Sequence, residues 1–431
     1  MRTSLRTPSL RTPGLLAVLA VLTITVGCAP SADRDPVFED PDVPRAQATS
    51  SYDQELAVGL NEVGYDLFRV LAARDEADIV LSPYSIGSAF GMLDVGATGD
   101  LAEVLEELFA YPVDGEDRWS AFNTLDQHVI AEAPLEPLDE FDAIPPIVRV
   151  SNREYPAKGF ETVDGYAENL ARWFGAGVEP LDYQADAEGS RKHINEWVSD
   201  RTEGLIPNLL PAGMVTPETQ LVLVNTLYLK AQWAQPFQPK ATEDADFALP
   251  DGSTVTVPMM HQTGLRAMAL RGDGYHAVEL RYAGDLSMLI IAPDSAHYDE
   301  VEAQIGTEFV AGIDAAMLDT SVDLYLPRFE SETSFDLREA LETGLGVTGL
   351  FGVSGLEGIA PGLMLDSAVH AAKIVTDEQG TEAAAATALG TVVSAPSESM
   401  TIRVDHPFLY VIRDGDTGAV LFVGRVTDPR A

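Results

Sequence analysis

Side chains able to do covalent chemistry are few in this 431-residue chain, and they are poorly arranged for it. There is one cysteine, Cys28, and there are seven histidines, at 128, 193, 261, 276, 297, 370 and 406, with no metal-ligand spacing among them. No G-x-S-x-G nucleophile elbow, S-x-x-K, H-E-x-x-H or phosphate-binding glycine loop occurs, so neither an enzyme nor a metal or cofactor site is expected. His370 and His406 fall in β-type segments, where a hydrogen-bonded structural histidine is the ordinary reading. Attention passes to DEQGTEAAAATALGTVVSAPSESM (Asp377 to Met400), a stretch in which almost nothing is reactive. Its TEAAAATAL run is rich in the best helix former. Yet Gly380 precedes it, Gly390 follows, and Pro396 with Ser394, Ser397 and Ser399 reads as loop. At period two, Thr381, Ala383, Ala385, Thr387, Leu389 and Thr391 share one face, and Glu382, Ala384, Ala386, Ala388 and Gly390 the other. Glu382 carries the only charge, so the first face can be buried without desolvating an ion. The stretch suits two states, an exposed loop and a strand slipped between two others. A tolerant Ala-rich surface loop fits the pattern alone as well.

The elements around it are legible from periodicity. Leu56, Leu60, Val63, Leu67 and Leu71 predict an amphipathic helix. Ser82-Pro83 predicts an N-cap with proline at the first helical position, opening a helix through Leu93. Leu101, Val104, Leu105 and Leu108 mark a third helix, and others are expected at 161–174, 188–202, 299–316 and 334–343. TQLVLVNTLYLKAQW (Thr219 to Trp233) is apolar and β-branched on both faces, as a central strand is. AVHAAKIVTDEQG (Ala368 to Gly380) alternates, and TIRVDHPFLYVIRD with GAVLFVGRV forms a hairpin turning at Asp414 to Gly418. Helices dominate the front and strands the back, which predicts an α+β fold in one domain.

Composition bounds the setting. Arg2, Arg6 and Arg11 precede the apolar run Leu15 to Gly27, which is short for a membrane span and shaped like a secretory signal. Residues 1–27 are therefore read as a signal peptide. TVGC resembles the bacterial lipoprotein pattern, in which Cys28 would be lipidated, although Thr25 stands where that pattern wants leucine. A signal cleaved elsewhere would leave Cys28 a free thiol. Residues 28–50, rich in Pro, Asp and Ser, read as a flexible tether, and residues 51–431 as the globular domain. The expected location is outside the cell or on its envelope, with membrane contact only through the lipid. Against 27 basic residues stand 68 acidic ones, a net charge of −41, and only five residues are lysine. Such a surface repels nucleic acid; it suits a saline habitat, or reflects a GC-rich genome.

The run EQGTEAAAAT resembles the reactive-loop hinge of the serpin family, and the likeness extends from about Ser51 to Pro429. DIVLSPYSIGSAFGML, INEWVSDRTEGLIPNLL, LVNTLYLKAQWAQPF, VPMMHQ, LYLPRF, SAVHAAKIVTDEQGTEAAAAT, DHPFLYVIRD and LFVGRVTDP are similar to family segments in the same order. The resemblance is to a secreted or lipoprotein-type bacterial member. It implies three β-sheets, about nine helices and an exposed reactive-centre loop. It further implies a monomeric suicide substrate, whose cleaved loop inserts as a strand into the main sheet and traps the acyl-enzyme.

The resemblance also assigns roles. The hinge would be Gly380, Thr381, Glu382, Ala383, Ala384, Ala385, Ala386 and Thr387. Ser82, Ser85, Asn225 and His370 match the shutter, a polar cluster beneath the opening strands, and Trp233 matches the breach under the first insertion point. Family spacing places the reactive bond at Ser394-Ala395, with Thr391, Val392 and Val393 in the protease subsites. A slightly long run to Pro407 allows a shift to Val393 or Ala395. These residues suit elastase-like or subtilisin-like serine proteases, with a cysteine protease as a further target, and the lack of Arg or Lys disfavours trypsin-like ones. A non-inhibitory family member serving as a binding or scaffold protein is the competing reading.

Overall fold

The computed structural model describes residues 43–74, 77–130, 146–381 and 399–430. The first helix, α1 (Asp53–Ala72), turns the Leu56-to-Leu71 stripe inward. After β1 (Ile79–Leu81), α2 (Pro83–Asp94) begins as its sequence requires. The Ser85 amide donates to Ser82 Oγ at 3.1 Å, and Pro83 fills the first helical position, where no amide is needed. α3 (Asp100–Phe109) follows, and then α4 (Gly115–Val129), a helix that hydrophobic periodicity does not announce because its inward side carries Asn123, Thr124 and Asp126.

Next come β2 (Ile147–Pro156), α5 (Tyr166–Phe174), β3 (Gly177–Val178), α6 (Tyr183–Arg201) and β4 (Leu221–Gln232). The middle of the chain supplies β5 (Glu243–Ala248), β6 (Thr254–Arg271), β7 (Tyr275–Arg281), β8 (Leu286–Pro293), α7 (Tyr298–Gln304), α8 (Thr307–Ala316) and β9 (Leu318–Pro327). The last part holds β10 (Phe329–Asp336), α9 (Leu337–Glu339) with a π-helical turn (Ala340–Leu345), β11 (Ser367–Thr376), β12 (Gly380–Thr381), β13 (Met400–Arg403), β14 (Phe408–Asp414) and β15 (Val420–Val426).

Several expected boundaries move for local reasons. The helix expected from 161 starts at Tyr166, because the Val163 amide is diverted to the Ile359 carbonyl at 2.7 Å. The helix expected over 299–316 is two, because Ile305 and Gly306 between them are extended. Residues 334–336 stay in β10, paired with Ala371, His370 and Val369 of β11. Residues 43–50, expected as part of a free tether, are packed: the Ala46 amide donates to the Arg172 carbonyl at 2.8 Å, and the Thr49 and Ser50 amides reach Thr124.

Two sheets carry the described strands. One is six-stranded, in the order β10-β11-β12-β4-β2-β3. The other is nine-stranded, in the order β1-β15-β14-β8-β7-β6-β9-β13, with β5 alongside β6. The three sheets implied by the resemblance thus become two continuous ones, because β6 pairs β5 at one end, β7 at the other and β9 along its length. The architecture is α+β, as expected.

β4 shows why its sequence is apolar on both faces. Leu223, Leu227, Leu229 and Ala231 enter the main core, while Val222 and Val224 enter a smaller core with Ile194 and Val198 of α6. α2 packs on β4 and also on β15, so it lies between the two sheets.

Candidate functional site

The feature that sets this molecule apart is a seam between β4 and β11. The two strands run parallel, and their shared ladder is confined to Ser367↔Val222 and Ala368↔Leu223. Beyond that point no ladder pair joins them among the described residues until β12. This short strand lies antiparallel between them, with Gly380↔Gln232 and Thr381↔Ala231 on one side and Thr381↔Thr376 on the other. Gly380 and Thr381 are therefore already seated in the sheet.

Gly380 is there for a steric reason. Its φ is +146°, and a Cβ would fall on the Ala231 carbonyl oxygen, far inside contact distance. Thr381 is 1% exposed, and its hydroxyl and that of Tyr282 are hydrogen-bonded at 2.7 Å. The Tyr282 ring stacks on Trp233 with centroids 4.3 Å apart, and burial pushes the tyrosine phenol up, so it stays protonated. Trp233 lies against the turn that leads into Gly380. Its indole N–H donates to the Asp377 carbonyl at 2.9 Å and its amide to the Gln379 carbonyl at 2.7 Å.

The turn before the hinge is pinned twice more. Asp377 Oδ1 accepts from the Gln379 amide at 2.7 Å. Glu378 accepts at Oε1 from Arg328 at 2.6 Å and from the Thr242 hydroxyl at 2.5 Å. Burial alone would raise the Glu378 carboxyl, but these hydrogen bonds win and hold it below the ordinary range.

The four residues matched to the shutter do come together, under the seam where the two strands part. The Ser82 amide donates to His370 Nε2 at 3.0 Å, the Ser85 hydroxyl donates to Asn225 Oδ1, and Asn225 Nδ2 donates to Asn152 Oδ1. Because Nε2 must accept from a backbone amide, the ring proton of His370 belongs on Nδ1. Complete burial pushes this imidazole down to about 3, so it stays neutral across ordinary pH. A cavity of about 10 Å³ lies beside the cluster, lined by Ser85, Asn225, Leu223, Ala368 and His370 among others.

Sequence reasoning missed Asn152, Tyr282, Thr242 and Arg328, all of which come from strands or turns distant in the chain. Only the topology brings them to the seam. It also placed His406 in a strand, whereas the residue sits between β13 and β14. There Asp405, hydrogen-bonded at 3.0 Å, raises the ring, and Pro293 O at 2.5 Å satisfies its other nitrogen. The remaining assigned positions lie outside the described residues: Cys28, Glu382, Ala383, Ala384, Ala385, Ala386, Thr387, Thr391, Val392, Val393, Ser394 and Ala395.

Comparison with known proteins agrees with this geometry. The family model described as serpin (serine protease inhibitor) matches residues 58–429. A serpin-like protein of Thermococcus kodakarensis is 32% identical over 435 residues, covering 96% of this chain and 99% of that one. The leukocyte elastase inhibitor of Equus caballus is 35% identical over 395 residues, covering 87% of this chain and all (100%) of the inhibitor. Among solved structures, uncleaved ovalbumin superimposes with a TM-score of 0.76 at 27% identity, covering 87% of this chain and 100% of ovalbumin. With its motifs in order, Gly380 and Thr381 seated between two parallel strands and its relatives matched from end to end, the chain belongs to the serpin family of serine protease inhibitors.

Proposed function

We propose that this chain is an inhibitory serpin that acts as a suicide substrate. The observation that carries the reading is the seam, closed by two ladder pairs at one end and primed by Gly380-Thr381 at the other. Continuing the Thr381 register two residues at a time would set Ala383 between Leu229 and Ile374, and Ala385 between Leu227 and Ala372. Thr387 would then lie between Asn225 and His370, beside the small cavity, where its hydroxyl meets polar partners. The Leu229, Leu227, Ile374 and Ala372 side chains belong to the main core, so the alternate alanines suit the face they would enter. Each added residue contributes ladder hydrogen bonds, about 1 kcal/mol apiece net, besides apolar burial.

The chemistry is the protease's own. Its serine Oγ attacks the Ser394 carbonyl and forms an ester, while the amide to Ala395 breaks and the new amine takes a proton from the protease's general acid. Loop insertion then competes with hydrolysis of that ester. Val392, Val393 and Ala395 favour an elastase-like or subtilisin-like serine protease, in keeping with the elastase inhibitors among the relatives. The signal-like leader and Cys28 in the sequence support a location outside the cell or on its envelope. The test mixes the full chain with elastase, subtilisin and chymotrypsin. An SDS-resistant complex is expected, with a new N-terminus at Ala395. Loop cleavage without a complex across the panel would assign the chain to the non-inhibitory, binding class.

A further inference from the structure

We infer that residues 43–50 are a strap that brakes the opening of the six-stranded sheet, a regulation that rests on the insertion reading above. The segment precedes the region matched by the family model, which begins at residue 58. It nevertheless occupies the inward polar side of α4. Asn123 Nδ2 donates to the Ala46 and Gln47 carbonyls at 3.1 and 3.3 Å, Gln127 donates to the Ala46 carbonyl at 2.8 Å, and Thr124 Oγ1 accepts the Thr49 and Ser50 amides at 3.1 and 3.0 Å. With the strap in place Asn123 and Thr124 are 0% and 2% exposed, so its departure would trade these buried hydrogen bonds for contacts with water.

Arg45 is the keystone. Its Nε donates to Asn123 Oδ1 at 3.0 Å, one terminal nitrogen reaches the Trp173 carbonyl at the end of α5, and the same nitrogen pairs with Asp126. Asp126 also accepts the hydroxyl of Tyr84 on α2, one residue before the Ser85 that holds Asn225. Val43 and Arg45 further wall a cavity of about 370 Å³ over Ser151 and Asn152 of β2, and Asn152 is the last partner of the polar cluster.

The strap thus ties α5 to α4 and, through Asp126 and Tyr84, to α2. Admitting a strand moves β4 and β11 apart by about 4.8 Å. β4 and β2, with the α5 that follows β2, must then shift relative to α2, which is packed on β15. The strap bonds cross that displacement and resist it, so they slow insertion in the uncleaved molecule.

The test uses the full chain carrying Arg45→Ala, with Arg45→Lys as the milder change and Arg74→Ala, an exposed ion pair, as control. Each protein is warmed below its unfolding temperature, and urea gels follow the appearance of a urea-resistant conformer. Arg45→Ala is expected to convert at least tenfold faster than wild type, Arg45→Lys to fall between, and Arg74→Ala to match wild type. Loop-cleaved forms of all four should resist urea alike. Conversion of Arg45→Ala within twofold of wild type, while cleaved wild type becomes urea-resistant, overturns the strap. If cleaved wild type gains no resistance, the insertion reading itself fails, whatever Arg45 does. Should Arg45→Ala not fold, Thr124→Val, which removes only the acceptor for two strap amides, reports the same rate.

Discussion

Replacing Thr381 by arginine tests the insertion mechanism at its first step. Thr381 sits between Ala231 and Thr376 with 1% of its surface exposed, and Tyr282 is its side-chain partner. The two carboxylates of the preceding turn are committed, Glu378 to Arg328 and Thr242, and Asp377 to the Gln379 amide. A guanidinium placed there would be taken out of water between two strands, and burying a charge costs several kcal/mol. If only about 3 kcal/mol of that reaches the insertion barrier, insertion slows more than ~100-fold, since about 1.4 kcal/mol is a factor of ten. Hydrolysis of the acyl-enzyme then wins, and the inhibitor behaves as a substrate. The assay titrates elastase or subtilisin with the variant and separates SDS-resistant complex from cleaved inhibitor. Wild type should go mainly to complex, Thr381→Arg to less than about a tenth of the wild-type yield, and Thr381→Ser, which keeps the hydroxyl, should stay within twofold of wild type. Because Thr381 is already seated, the arginine also expels β12, and loop cleavage by a protease should quicken. Complex formation by Thr381→Arg at wild-type yield would refute the reasoning.

Gly380→Ala places a methyl on the Ala231 carbonyl oxygen, so the hinge must leave the ladder; limited proteolysis should show faster loop cleavage and inhibition a lower yield. Arg328→Ala takes the ion pair from the buried Glu378 carboxylate, which keeps its Thr242 hydrogen bond, and because Arg328 is exposed the loss should be only about 1 kcal/mol, read as a modest rise in proteolysis of the same turn. Glu154 on β2 is fully buried, with its Oε2 hydrogen-bonded to the Tyr166 hydroxyl at 2.8 Å, and burial raises its carboxyl from 4.5 to about 8. The folded state holds that proton more tightly than the unfolded state, so stability is full below pH 4.5, falls as pH rises toward about 8 and levels off above it. Glu154→Gln should remove this slope and raise the thermal midpoint near pH 8, where the effect is of order a few kcal/mol; equal slopes in variant and wild type would refute it. His370 stays neutral above about pH 3, so its polar cluster should add no pH dependence to inhibition between pH 5 and 9.

What the sequence shows well is whatever repeats locally. α1 and α2 follow from a leucine stripe and a Ser-Pro cap, and β4 from an apolar run whose two faces enter two cores. α4 is invisible to that reading, since Asn123, Thr124 and Asp126 face the strap and look like a solvated surface. The strap is invisible for the complementary reason: VPRAQATS has no apolar period and reads as the end of a tether, and its order comes from partners more than 70 residues away. Ser82, Ser85, Asn225 and His370 could be named from motifs, but Asn152 and Tyr282 could not. No local pattern marks a residue whose role depends on which strand lies opposite it.

The register at Thr381 bears on how such a protein can change. Odd-numbered positions after the hinge would face the main core and even-numbered ones the side of α6, so tolerance to substitution should alternate residue by residue as far as about Leu389. There the incoming strand would meet the Ala368↔Leu223 pair that closes the seam. Beyond it, the residues proposed to meet a protease would not be required to fit between Leu223 and Ala368. A lineage could therefore redirect the inhibitor to a new protease by altering the bait while leaving the strand untouched, with the boundary between those two kinds of constraint drawn by a single ladder pair.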